Sequence, residues 1–449
     1  TGKIHQFYGI GNYDKGSAAW TWSGKILKTV EINDSTANGP VLAGNDNFGK
    51  AVANIGDLNG DGVNDLAIGA TGDDEGGTSR GAVHITFMNT DGSVDSTVEI
   101  NSSTTGLTLH NSDFFGGAVE NIGDLNGDGV NDLAVSAAGD DKCANGDNDC
   151  YGRGAIHIFF MNTDGSVDST VEINDQTANG PTLNANWDWF GPSIANIGDL
   201  NGDGVNEIVV GATGDDAGGS GRGAIHIMYM NTDGSVDSTV EINSSTTNGP
   251  TLENDDKFGR SIENIGDLDG NGVNDLAVGT YDADCVDCTG EDSGAIYIMY
   301  MNTDGSVNST VEINDSTNNG PTLIADDYFG AGIANIGDLN NDGVNEIVVG
   351  APQDDDPNGS WLENGAIHIM HMNIDGSIDK TVGVARATHN GPATLYQDYF
   401  GASVENIGDL DGNGVNDIAV GAWKDDQCAN AEFNNCTNRG AVHILFLDK

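Results

Sequence analysis

A chain of 449 residues with 70 acidic and 16 basic side chains carries a formal charge of −54, which argues against nucleic acid and anionic membrane surfaces as partners. No apolar run approaches the roughly 18 residues of a helical membrane span, and no basic segment followed by an apolar one opens the chain, which starts at Thr1 and reads as a processed product. The excess acid suits either a saline or calcium-rich medium, where screening weakens self-repulsion, or simply a very soluble surface.

Residues 1–23 have no counterpart further on and are rich in aromatic side chains, Phe7, Tyr8, Tyr13, Trp20 and Trp22 among them. Next comes a short stretch, Gly24-Lys-Ile-Leu-Lys-Thr-Val-Glu-Ile-Asn33, that aligns without a gap on Gly165-Ser-Val-Asp-Ser-Thr-Val-Glu-Ile-Asn174. From there a unit of about 70 residues recurs six times, starting near residues 46, 113, 188, 256, 327 and 398. Each unit opens on an aspartate two places before a Phe-Gly pair, at Phe48, Phe115, Phe190, Phe258, Phe329 and Phe400. A short apolar strand ending in Asn-Ile-Gly follows, then a nine-residue acidic loop, a second strand such as Ile208-Val-Val-Gly211, another acidic loop, and a third strand of the Gly-Ala-Ile-His-Ile type. An Asp-Gly turn between short β-branched runs predicts a hairpin into a fourth strand, Ser-Thr-Val-Glu-Ile.

Nothing in the unit reads as a helix. Four short antiparallel strands, repeated six times with glycine-rich turns, predict an all-β fold, a six-bladed β-propeller occupying residues 24–449. The chain ends on a third strand, Gly440-Ala-Val-His-Ile-Leu-Phe, with no fourth to follow. The N-terminal strand therefore completes the sixth blade, either as a clasp within one molecule or as a strand given to a neighbour. Residues 1–23 would then plug the axis, extend a blade edge, or add a strand to another copy.

The nine-residue loops carry the strongest chemical signal. Oxygen ligands stand at positions 1, 3, 5 and 9, glycine at 6, and a backbone carbonyl is expected from 7. The sets are Asp57, Asn59, Asp61, Val63 and Asp65; Asp124, Asn126, Asp128, Val130 and Asp132; Asp199, Asn201, Asp203, Val205 and Glu207; Asp267, Asp269, Asn271, Val273 and Asp275; Asp338, Asn340, Asp342, Val344 and Glu346; and Asp409, Asp411, Asn413, Val415 and Asp417. Repeats four and six exchange Asp and Asn between positions 3 and 5, yet every loop keeps three carboxylates. Solvated turns have no reason to hold that count. An oxygen-rich, flexible arrangement of this kind selects calcium, about six ions in all, without the helices or the position-12 glutamate of an EF-hand.

Six cysteines fall in three local pairs, Cys143 with Cys150, Cys285 with Cys288 and Cys428 with Cys436, in the same loop of repeats two, four and six. Gain and loss in pairs points to disulfides and an oxidising compartment. The Cys285-Val-Asp-Cys288 spacing also suits zinc, although no second pair lies near it. His84, His157, His226, His368 and His443 share one strand position, with Tyr297 in the sixth, and read as packing residues rather than a ring-shaped site. Acidic pairs such as Asp73-Asp74 and Asp215-Asp216 read as solvated turns, with a secondary cation or sugar contact as the alternative. Trp187, Trp189, Trp361 and Trp423 lie in loops and are able to stack on a sugar ring, but they do not recur from blade to blade. No nucleophile elbow, phosphate loop or histidine-metal motif is present.

Phe-Gly, the carboxylate loop and then Gly350-Ala-Pro352 (elsewhere Gly-Ala-Thr, Ser-Ala-Ala, Gly-Thr-Tyr or Gly-Ala-Trp) resemble the FG-GAP repeat of integrin α chains and bacterial surface proteins, over residues 46–449. The resemblance implies calcium in hairpin loops that stabilise blades without catalysing anything. The integrin-type ring has seven blades with only some loops retained; here six are countable and all six keep the loop. The expectation is a non-enzymatic, extracellular or cell-surface calcium-binding propeller, serving as a structural or adhesive module that meets a surface protein, a glycan or copies of itself in a filament or array. A carbohydrate-binding propeller is the alternative, and an enzyme with a channel-mouth site is a third reading that rests on the histidines alone.

Overall fold

The computed structural model describes residues 25–104, 106–141, 152–183, 187–284, 292–354, 364–386, 388–395, 397–426 and 437–448. All six cysteines, Trp361 and the segment 1–23 lie outside them, and so do the disulfide reading and the proposed roles of that segment. Within them are six four-stranded antiparallel sheets and no helix. The first blade runs outward from Phe48–Gly56 through Asp65–Ala70 and Ala82–Met88 to Val94–Ile100. Its second and third strands are buried at every residue, whereas the outer strand is buried only at its two ends, Val94 and Ile100. That is the pattern of a sheet covered on both faces everywhere but at its rim.

The apolar cores lie between blades rather than within them. One joins Val83, Ile85 and Ala67 of the first blade to Phe115, Val135 and Phe159 of the second. Another joins Ile444 and Ala419 of the sixth blade to Phe48, Leu66 and Ile68 of the first, and so closes the ring. The closing blade is completed by the N-terminal strand Lys25–Ile32, which pairs antiparallel with Ala441–Asp448 from Lys25 opposite Asp448 to Ile32 opposite Val442. Of the two closures the sequence left open, the structure has the clasp, made by the chain's own strand.

The Phe-Gly and Gly-Ala motifs meet across blade boundaries. A Cβ on Gly69 would lie 1.9 Å from the Gly116 carbonyl oxygen, and one on Gly421 would lie 2.0 Å from that of Gly49. Gly49 and Gly116 also take φ values of 84° and 87°, a conformation open to glycine at little cost. Backbone touches backbone there, and the six phenylalanines beside those glycines are wholly buried.

Two rings of asparagines sew the inner strands together. The asparagine of each Asn-Ile-Gly donates its Nδ2 to the carbonyl of the same residue in the preceding blade. Asn121 donates to Asn54, Asn196 to Asn121, Asn264 to Asn196, Asn335 to Asn264, Asn406 to Asn335 and Asn54 back to Asn406, at 2.8 to 3.1 Å. A second ring runs from position 8 of each acidic loop to the isoleucine carbonyl of the blade before: Asn64 to Ile407, Asn131 to Ile55, and so through Asn206, Asn274, Asn345 and Asn416. Asn264 also accepts the N–H of Gly266 on Oδ1. Replacing Asn264 by Ala removes both bonds and strands a part-buried carbonyl, so the expected cost is about 1–3 kcal/mol. A lower urea midpoint at unchanged slope would show this; an unchanged midpoint would remove the ring from the account.

Candidate metal loops and the axial channel

Four inner strands begin at Phe-Gly, and those of blades four and five begin four residues after the phenylalanine, at Ile262 and Ile333; each ends at its acidic loop, on the opposite face of the disc from Phe-Gly. In the first loop Asp57 accepts the N–H of Asp61 on Oδ1 and of Gly62 on Oδ2, both at 2.8 Å, while Asn59 Oδ1 also accepts from Asp61 and Asp61 Oδ1 accepts from Val63. The same bonds recur in the other five loops, including those onto Asp124, Asp199, Asp267, Asp338 and Asp409. Backbone donors thus gather the carboxylates. Ligand oxygens lie within 4.8 Å of one another in four loops, formed by Asp199, Asp203 and Glu207; Asp267, Asp269 and Asp275; Asp338, Asp342 and Glu346; and Asp409, Asp411 and Asp417.

Position 9 does more than face the loop. Asp65 is fully buried and accepts N–H bonds from Leu58 on Oδ2 and from Met88, at the end of the third strand, on Oδ1. Asp132, Asp275 and Asp417 repeat this staple with Met161, Met301 and Leu447. The longer Glu207 and Glu346 instead take the side-chain amides of Asn201 and Asn340. Burial pushes Asp65, Asp132, Asp275 and Asp417 up to about 6 and Glu207 up to about 7, against the opposing pull of those donors.

The Asp/Asn exchange has a local reason. In loops four and six the position-5 amides of Asn271 and Asn413 donate to the carbonyls of Met301 and Leu447. In loops two, three and five the position-3 amide instead donates to the position-5 aspartate, as Asn126 does to Asp128 at 2.9 Å.

These donor sets fit a hard divalent cation. Carboxylate and amide oxygens converge, one carboxylate is already desolvated, and each oxygen that accepts an N–H keeps a lone pair. Asp128→Asn should therefore lower the melting temperature in calcium and leave it almost unchanged in chelator. Asp132→Asn, which loses a buried backbone acceptor, should lower it in both. Exchanging Asn126 and Asp128 together should restore the calcium effect; differential scanning calorimetry of the three variants checks this.

A further cluster lies on the axis and was missed in the sequence. The residue before Asn-Ile-Gly alternates as Ala53, Glu120, Ala195, Glu263, Ala334 and Glu405. Because the inner strands line the axis, the three glutamates share one narrow channel of about 80 Å³. Glu120 accepts the N–H of Asn196, Glu263 that of Asn335 and Glu405 that of Asn54, at 3.1 to 3.3 Å. Burial pushes Glu120 and Glu263 up to about 8, helped for Glu120 by repulsion from Glu263, and pushes Glu405 well above the carboxylate range. A carboxylate raised on folding binds more protons in the native state, so its stabilisation is lost as pH rises through the raised value. The melting temperature at saturating calcium should fall between pH 7.5 and 9, and Glu→Gln at all three sites should flatten that slope.

The histidines do not form a site. His84, His157, His226, His368 and His443 each pack edge-on against the phenylalanine of their own blade, with ring centroids 5.5 to 5.9 Å apart, as Tyr297 does against Phe258. Burial pulls His84, His226 and His443 down to about 4, so they are neutral. The acidic pairs cap their own turns: Asp73 Oδ1 accepts from Glu75 and Asp74 Oδ1 from Ser79. Three of the loop tryptophans, by contrast, come together. Trp187, Trp189 and Trp423 line one cavity of about 580 Å³ at the channel mouth opposite the acidic loops. The sequence hid this because the residues come from different blades.

The family model described as FG-GAP repeat matches residues 48–86, 190–228, 258–299 and 329–370, within blades one, three, four and five. Blades two and six have the same strands and loops. Integrin alpha pat-2 of Caenorhabditis elegans is 27% identical over 256 residues, covering 54% of this chain and 18% of that protein. Human integrin alpha-11 is 38% identical over 167 residues (37% of this chain, 12% of the relative), and human integrin alpha-6 is 35% identical over 170 residues (37% and 13%). The chain thus spans less than a fifth of the length of these relatives. With six such blades closed about one axis, the chain is an FG-GAP repeat propeller of integrin α-like type.

Proposed function

We propose that the chain is a calcium-binding, non-enzymatic module of the cell surface or extracellular space, a rigid disc that presents its faces to another surface protein. The observation that carries this reading is the convergence of three carboxylates in four of the loops, with the same backbone donors onto position 1 in all six. Calcium is the group these loops would hold, six ions with the position-7 carbonyls of Val63 and its equivalents as further ligands; bound there, it would supply the charge that offsets three neighbouring carboxylates. Integrin α relatives support the adhesive part. The burial of His84, His226 and His443, which leaves them neutral, weighs against the channel-mouth enzyme, since the side chains that suggested it pack on phenylalanine.

Self-assembly is the finer part of the proposal. Residues 25–32 complete their own chain's blade, so strand donation rests on residues 1–23. Electron micrographs in calcium should show strings or arrays for the full chain and single discs once residues 1–23 are removed. Identical assemblies from both would end strand donation, and single discs from both would end self-assembly. Bound ions stabilise the native state by mass action, about 2.7 kcal/mol per independent site at a hundredfold excess over Kd. Chelator should therefore lower the melting temperature steeply, whereas an unchanged melt would contradict calcium binding.

A further inference from the structure

The mouth opposite the acidic loops gathers the wrong charge for this protein. Of only 16 Lys and Arg in the chain, Lys50, Lys257 and Arg260 line the axial cavity beside two carboxylates, Asp216 and Asp255, and Lys424 stands next to it. Lys257 is paired with Asp255 at 3.5 Å, which leaves Lys50, Arg260 and Lys424. Among the described residues none of these three is hydrogen-bonded or ion-paired to a carboxylate, in a chain with 70 of them. They rest on aromatic faces instead. Lys50 Nζ and Lys424 Nζ each lie 4.7 Å from the Trp423 ring, Lys424 lies 4.0 Å from Tyr399, and the Arg260 guanidinium lies 5.2 Å from Tyr281. Burial, and after it repulsion from Arg260 and Lys424, holds Lys50 well below the usual lysine range. An anion between them would relieve both.

The backbone is strained to build this mouth. On either side of the buried aspartate that precedes each Phe-Gly, the chain takes a positive φ in every blade. In the third blade Trp187 is at 71° and Trp189 at 51°; Phe114, Tyr328 and Tyr399 stand at 54° to 58° in theirs. Bulky residues there pay a steric cost that concentrates at functional sites. The strain sets aromatic rings around the axis, and Trp187, 53% exposed, and Phe114, 37% exposed, stay open to solvent. Trp187 and Trp189 face each other at 5.5 Å between ring centroids.

We propose that this mouth binds a carboxylated saccharide of the uronic acid type, its ring stacked on the Trp187 and Trp189 side and its carboxylate met by Lys50, Arg260 and Lys424. A cationic ligand is disfavoured, because the chain's own cations already cover Trp423, Tyr399 and Tyr281. A saccharide is favoured over an acidic peptide by the exposed flat rings, which suit the C–H face of a pyranose. The volume agrees: about 580 Å³ is the size of a small-molecule site. The inference stands apart from the adhesive reading, because the site lies at the other end of the inner strands from the acidic loops.

The test uses the full chain in calcium buffer, titrated with digalacturonate, with its neutral counterpart digalactose and with a glutamate dipeptide, followed by tryptophan fluorescence. Digalacturonate should quench the emission, with affinity that falls as salt rises. The neutral disaccharide and the dipeptide should each bind at least tenfold more weakly. Trp187→Ala and Lys424→Gln should each reduce digalacturonate affinity at least tenfold while the calcium-loaded melt stays within a degree or two, and Trp187→Phe should recover part of the loss. Equal binding of the dipeptide would overturn the saccharide assignment. Binding that survives both variants would place the uronate on calcium at the opposite face and overturn the site, as would no binding at all.

Discussion

A four-stranded blade with two apolar faces cannot exist alone, and everything else in this protein follows from how its neighbours are held against it. The contact that does this is small: an asparagine amide reaching one blade backwards to a carbonyl, repeated until the sixth asparagine meets the first. Single bonds of this kind contribute about 1 kcal/mol. Closed in a ring, each also fixes the spacing that lets Phe48 and its equivalents bury completely between blades.

The acidic loops are tied into that same stitching. Position 8 donates to the preceding blade, and where position 9 is aspartate it staples the loop to the third strand of its own blade. A cation held by positions 1, 3, 5 and 9 would therefore be felt by two blades at once. This is a physical reason for keeping three carboxylates in every loop, since losing one would loosen a joint as well as a site. The −54 charge raises the stakes, because like charges crowd these loops whenever no cation offsets them.

The fold was legible in the sequence wherever its signals were local and repeated. Phe-Gly marked the blades, Asp-Gly marked the hairpins, and the orphan third strand at residues 441–448 found its partner at residues 25–32. The ligand set of each loop was legible for the same reason. What escaped notice was whatever depends on the axis. Glu120, Glu263 and Glu405 sit more than a hundred residues apart and meet only because alternate blades point inward at one height. Trp187, Trp189 and Trp423 were discounted for failing to recur, yet a propeller mouth needs each blade to contribute only once. The Asn at position 8, outside the ligand set of its loop, belongs to an inter-blade bond that the sequence did not reveal.

The axis is thus polarised, with cations and aromatic rings at one mouth and carboxylates deeper in the channel, about three residues or roughly 10 Å further along the inner strands. The central claim is that the acidic loops act as joints between blades, loaded by calcium. Amide hydrogen exchange with and without calcium tests it most directly. The account predicts that calcium slows exchange in the loops and, together with them, in the Asn-Ile-Gly segment of each preceding blade. Slowing confined to the loops would contradict it.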